Sequence, residues 1–221
     1  MLLDILTTND WKRPIYLTSP SGIGGAINLD EYCHLEGMVY KFLPVKATDY
    51  IRGLGGVSSD TCYDVLVNRI KQWGNLNDPR VTVDRESFRN TAIPRQNYMR
   101  VAQSMLNKGK NEEAEKALDL SLQYFPTSKI FPDKYMLSYV DLYYAAKATE
   151  KANNMALQLA NIFSQDLNFY LSLEPKYSSQ YEEEMSENAY LLQRLSQVAS
   201  QNGQDSTAKV IEAMINLKLS Q

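Results

Sequence analysis

Tyr98-Met99-Arg100-Val101-Ala102-Gln103-Ser104-Met105-Leu106, followed by Asn107-Lys108-Gly109-Lys110-Asn111, is the stretch that decides the fold. Tyr98, Val101, Ala102, Met105 and Leu106 recur at i, i+3, i+4, i+7 and i+8, the stripe of a half-buried helix. Gly109 is suited to a left-handed, helix-terminating residue. Ala114, Ala117, Leu118, Leu122 and Phe125 then form a second stripe, closed by Pro126. A helix, a short turn and an antiparallel helix make one helical hairpin.

The pattern returns twice. Met136, Tyr139, Val140 and Tyr143 lead to Ala152, Met155, Ala156, Leu159, Ala160 and Phe163. Leu192, Leu195 and Ala199 precede a turn at Asn202-Gly203, and Ala208, Ile211 and Ile215 follow it. Gly109 precedes Ala114, and Gly203 precedes Ala208, by the same five positions. Small residues at such places let two helices approach closely. The first hairpin resembles the tetratricopeptide repeat, with Tyr98, Ala102, Ala114 and Pro126 at its aromatic, small, Ala and Pro positions. Leu118, Ser121 and Met105 depart from that pattern, and the second copy is offset by about 38 residues instead of the ~34 of the repeat.

Upstream the composition changes. Residues 1–94 hold eight of the ten glycines and five of the eight prolines, so that part is rich in turns and short elements. Pro14-Ile15-Tyr16-Leu17-Thr18, Met38 to Val45 and Val81-Thr82-Val83 read as extended, and Leu2 to Leu6 and Asp64 to Trp73 as helical. The expectation is an α+β protein. A small mixed unit over 1–94 is followed by a helical array of about three hairpins over 95–221.

The charge is nearly balanced, with 23 basic and 26 acidic residues and one histidine. That argues against a nucleic-acid partner, which calls for clustered basic excess. No run reaches the ~18 apolar residues that cross a bilayer, and Met1-Leu2-Leu3-Asp4 lacks the basic start of a signal peptide.

No motif assembles a reaction. Gly22-Ile23-Gly24-Gly25 has Ile27 where a dinucleotide fingerprint needs glycine, and Gly53-Leu54-Gly55-Gly56 fails similarly. Both read as turns. Cys33-His34-Leu35-Glu36 lacks the later Cys-x-x-Cys of a zinc deaminase, since only Cys62 remains. No metal or cofactor is expected, and His34 reads as structural. Cys33 and Cys62 are compatible with a disulfide worth roughly 3–4 kcal/mol or with two buried thiols. Glu182-Glu183-Glu184 reads as a solvated helix start. Tyr135, Tyr139, Tyr143 and Tyr144 form a helical stripe able to stack on a sugar or peptide, although such a stripe is more often repeat packing.

Three longer stretches carry a resemblance. Leu3-Asp4-Ile5-Leu6-Thr7-Thr8-Asn9-Asp10-Trp11-Lys12-Arg13-Pro14-Ile15-Tyr16, Leu35 to Val45, and Gly55-Gly56-Val57 with Tyr63-Asp64 resemble the soluble C-terminal region of bacterial multi-spanning membrane proteins of the protein O-mannosyltransferase-like family. The resemblance implies a fragment on the periplasmic face of an inner membrane, with Met1 not necessarily a natural start. No catalytic residue can be carried over, because the membrane-embedded core of that family is not in this sequence.

The functional expectation is a non-catalytic accessory domain. Stacked hairpins expose a concave surface, here expected to carry Gln96, Met99, Gln103, Lys134, Asp141, Tyr144, Gln193 and Gln197 and to hold a protein or glycan partner. An alternative is a carbohydrate-active enzyme with Trp11, Tyr16, Asp30 and Asp60 in a cleft between the two parts. A third reading is a spacer that only stabilises its parent protein.

Overall fold

The computed structural model describes residues 2–21, 23 and 28–219, and divides into two compact units, 1–126 and 127–221. It has the expected α+β character, a small sheet followed by helices. The composition shift at Ile93-Pro94 and the division between units do not coincide, because the first helical hairpin packs with the sheet.

In the first unit, α1 (Leu2–Asn9) precedes β1 (Ile15–Leu17). A 3-10 turn over Leu29–Tyr32 leads into β2 (Cys33–Glu36), and β3 (Val39–Phe42) follows after a two-residue turn. Gly37, at φ +82°, supplies the positive φ that such a turn needs. β4 (Gly56–Val57) completes a sheet of order β1-β3-β2-β4. β3 pairs antiparallel with β1 and β2, while β4 runs parallel to β2. Strand alternation turns Cys33, Leu35, Tyr40 and Phe42 inward.

α2 (Ser59–Tyr63) continues into one π-helical turn, Asp64–Arg69, where Ile70 N–H reaches back to the Val65 carbonyl at 2.9 Å. The helix expected to reach Trp73 therefore stops at Arg69. The Leu66 carbonyl at this end accepts the Tyr98 hydroxyl at 2.9 Å. Val81-Thr82-Val83 is not a strand, since this short extended run finds no partner strand. α3 (Arg85–Asn90) follows, capped by the Asp84 carboxylate accepting from Glu86 and Ser87 N–H.

α4 (Ala92–Asn107) and α5 (Asn111–Tyr124) form the first hairpin. Ala102, Ala114 and Ala117 are fully buried, so the helix backbones approach closely. A buried hydrogen bond of 2.6 Å between the Ser59 and Ser104 hydroxyls joins α2 to α4.

The second unit holds α6 (Leu137–Ala145), α7 (Thr149–Ser172), the short α8 (Pro175–Ser178), α9 (Glu182–Gln201) and α10 (Asp205–Leu219). α6 pairs with α7 and α9 with α10, each through buried alanines such as Ala152, Ala156, Ala199 and Ala208.

All three hairpins turn in the same way. Gly109 N–H donates to Leu106 O and Lys110 N–H to Met105 O; Gly203 N–H donates to Ser200 O and Gln204 N–H to Ala199 O. This is the paired capping of a helix ended by a left-handed residue. Lys147 N–H to Tyr144 O and Ala148 N–H to Tyr143 O repeat it, with Lys147 at φ +63° in the place of glycine. Five positions after each left-handed residue stands a buried alanine: Ala114, Ala152 and Ala208.

Candidate functional site

The eight expected groove residues divide between the units. Gln96, Met99 and Gln103 lie on α4, where the Gln103 amide donates to Asn107 Oδ1 at 3.0 Å. In the second unit, Lys134 forms an ion pair of 2.6 Å with Glu187. Burial raises the pKa of the Asp141 carboxyl, and Arg194 offsets part of that rise. Tyr144 does not face a surface: it is buried, with its hydroxyl 2.6 Å from Asn153 Oδ1.

Gln193 and Gln197 are brought together. With Tyr190 and Gln201 they follow one side of α9, at the spacing that puts residues one turn apart on a common face. Glu212 and Ile215 of α10 close the other side, and the resulting cleft has a volume of about 880 Å³. Ser196 fixes the floor, its hydroxyl 3.3 Å from Ala208 O and 3.0 Å from Glu212 Oε1. Gln197 Oε1 accepts from Arg194 at 3.2 Å. The lining is amide, hydroxyl, one exposed phenol and the Glu212 carboxylate, with Ala189 and Ile215 as its apolar part and no basic side chain among the described residues. The sequence reading expected the α9–α10 hairpin but not the cleft beside it, so Tyr190, Gln201 and Glu212 were not singled out. The i, i+4 run Gln193, Gln197, Gln201 was the available signal.

The residues of the enzymatic alternative all belong to the first unit. Trp11 stacks on Phe42 at 6.1 Å between ring centroids, and Tyr16 donates to Glu36 Oε2 at 3.2 Å. Asp30 is fully buried and accepts from Tyr50 Oη at 2.8 Å and Gly53 N–H at 2.7 Å. Its burial works to raise the pKa, but these hydrogen bonds prevail and hold it below the usual value. Asp60 is exposed, gripped by Lys108 at 2.8 Å and Lys110 at 2.7 Å, and its pKa falls to about 2. A carboxyl so depressed holds no proton to donate near neutral pH.

Gly53 to Gly56 form the turn that Asp30 pins. An added Cβ at Gly55 would stand 2.6 Å from Cys33 O, so this glycine packs directly against the backbone of β2. Gly22-Ile23-Gly24-Gly25 and Ile27 lie outside the described residues, apart from Ile23. His34 bonds through Nε2 to the Val45 carbonyl at 2.9 Å. Cys33 and Cys62 are free, buried thiols, with pKa values pushed up to about 11 and about 12, chiefly by burial. Among the described residues no group of three or more His, Cys, Asp or Glu side chains could hold a metal.

Residues 1–61 match the family model described as TMEM260-associated domain 2. The matched stretch runs from α1 through the sheet into the start of α2 and stops short of the helical hairpins. No curated protein and no solved structure matches the chain. Among the described residues, no helix is long and apolar enough to cross a membrane.

Proposed function

We propose that the chain is a non-catalytic accessory domain of a membrane glycosyltransferase-like protein, placed on the periplasmic face, where it binds or positions a protein or glycan partner. Two observations support the reading. The match over residues 1–61 is to a domain associated with TMEM260, a membrane protein linked to O-mannosylation. The observation that carries the binding role is the α9–α10 cleft. Gln193, Gln197 and Gln201 rise about 6 Å per step along α9, each offering a donor and an acceptor. Peptide backbones and sugar hydroxyls both present such pairs. With the Glu212 carboxylate and no cation among the described lining residues, the cleft suits a neutral polar ligand better than a phosphate or an acidic chain.

Recovery of partners from detergent-solubilised membranes tests the role. Wild type and a Q193A/Q197A variant of unchanged far-UV circular dichroism are compared. A partner retained by the first and lost by the second supports the cleft; equal recovery of every partner contradicts it.

A further inference from the structure

The far end of α7 is built unlike the rest of that helix. Its buried face ends at Leu167, and the next turn exposes Phe169 and Leu171, at 60% and 50% of their full areas. The Tyr170 ring meets Phe169 edge to face at 5.5 Å and stacks on Tyr181 at 5.1 Å with 25° between the planes. Tyr177 stays half exposed, with the Lys176 ammonium 5.6 Å from its ring centre. Four aromatic side chains therefore gather where α7 ends and α9 begins.

The charge around them is mostly negative, with Lys176 and Lys134 the bases beside it. Between 166 and 187 stand Asp166, Glu174, Glu182, Glu183, Glu184 and Glu187, against the single base Lys176. Among the described residues, Glu187 alone of these acids forms an ion pair, with Lys134. The Tyr170 hydroxyl feels this field: burial first, then the Asp166 and Glu184 carboxylates, raise its pKa. Acids in the first turn of α9 suit the helix dipole. Glu174 caps α8, its carbonyl accepting from Tyr177 and Ser178 N–H; Asp166 sits toward the negative end of α7, whose last turn holds no basic residue, so helix stability does not account for Asp166.

We infer that the end of α7 and the start of α9 form a docking surface for an arginine-bearing protein segment. A guanidinium lies flat on a tyrosine or phenylalanine face and forks two hydrogen bonds to a carboxylate. This surface offers rings and carboxylates side by side. A bilayer would meet five carboxylates that no base among the described residues pairs; a neutral glycan can stack on the rings and donate hydroxyls to the carboxylates, but only a cation also draws on their net charge. The surface is separate from the α9–α10 cleft, whose lining includes none of these residues.

Fluorescence anisotropy of the full chain with a labelled peptide of alternating Arg and Gly tests the assignment. The Arg peptide should bind, and its affinity should fall about fivefold or more between ~50 mM and ~300 mM NaCl, as screening shortens the reach of the field. A peptide with Lys for Arg should bind several-fold more weakly, because an ammonium does not stack as a guanidinium does. F169S/Y181S should weaken the Arg peptide about fivefold or more. E182Q/E183Q/E184Q, confined to exposed positions, should do the same and serves if the aromatic variant does not fold. Q193A/Q197A should leave this binding unchanged, which separates it from the cleft. No binding of the Arg peptide, binding untouched by both surface variants, or preferential uptake of mannohexaose or of phosphatidylglycerol vesicles would overturn the assignment.

Discussion

The Asn97 side chain on α4 donates through Nδ2 to the Gly37 carbonyl in the β2–β3 turn at 2.9 Å, joining residues sixty apart in sequence. Gly37 N–H points the other way, to Cys62 Sγ on α2 at 3.3 Å. The tip of the β-hairpin is thus held between two helices, and the first helical hairpin becomes part of the unit that contains the sheet. Asn97 is buried, so removing its amide leaves the Gly37 carbonyl unsatisfied. N97A should cost about 1–3 kcal/mol, read from urea unfolding of the full chain. A change below about 0.5 kcal/mol would place the union of hairpin and sheet elsewhere.

Lys147 occupies a left-handed position where its two counterparts are Gly109 and Gly203. That conformation costs an L-residue about 1–2 kcal/mol, partly offset by the extra freedom that glycine has when unfolded. K147G should therefore stabilise the protein by several tenths to about 1 kcal/mol. G109A should destabilise by about 1 kcal/mol, a conformational effect alone, since an added Cβ there meets nothing within 4 Å. G37A should cost more, because its Cβ would collide with Val65 Cγ1. Thermal unfolding of the three variants gives the order K147G above wild type, then G109A, then G37A.

Asp60 links α2 to the α4–α5 turn through Lys108 and Lys110. Its folded pKa, about 2, lies below the ordinary 3.8. The sign follows: this contribution is present above about pH 3.8 and is lost as pH falls toward 2. The side chain is 65% exposed, so solvent screening keeps the energy small. The pKa is the sharper readout. In K108Q/K110Q, NMR titration of the Asp60 carboxyl should find it close to its ordinary value. An unmoved pKa would mean that the lysines do not cause the shift.

The thiols act at the other end of the pH scale. Cys33 and Cys62 ionise freely in the unfolded chain near 9.0, but burial keeps them protonated in the folded chain up to about 11 and about 12. The folded state binds more protons in that window, so stability is unaffected by these groups below pH 9 and falls as pH rises above it. Both thiols should resist a thiol-reactive disulfide reagent at pH 8 and react fully once guanidinium unfolds the chain. Fast labelling of either in the native protein would contradict their burial.

The helices beyond Pro94 were legible because their apolar periodicity is set locally and their partners are adjacent in sequence. The middle hairpin was harder: a search for glycine misses Lys147, although Ala152 keeps its place five residues on. The sheet was half legible. Ile15 to Leu17 and Val39 to Phe42 show β-rich runs, whereas Cys33 to Glu36 looked like a chemical motif and Gly56-Val57 is too short to announce itself. Val81 to Val83 has β propensity but no neighbouring strand, and propensity without a ladder makes no strand. Gln193 and Gln197 emerged from helical register alone. Tyr144 was misplaced because register does not tell which face α7 covers with Asn153, and the aromatic end of α7 depends on a chain reversal at Pro175–Tyr181 that no periodicity encodes.

Site-specific photo-crosslinking in intact cells measures the binding role most directly. A photoreactive phenylalanine derivative is placed at Gln193, at Gln197, or at Asn161, which is exposed on α7 outside the cleft. A discrete adduct from both cleft positions and none from Asn161 is the expected result. Identical adducts from all three positions, or none from any, would contradict a partner held beside α9.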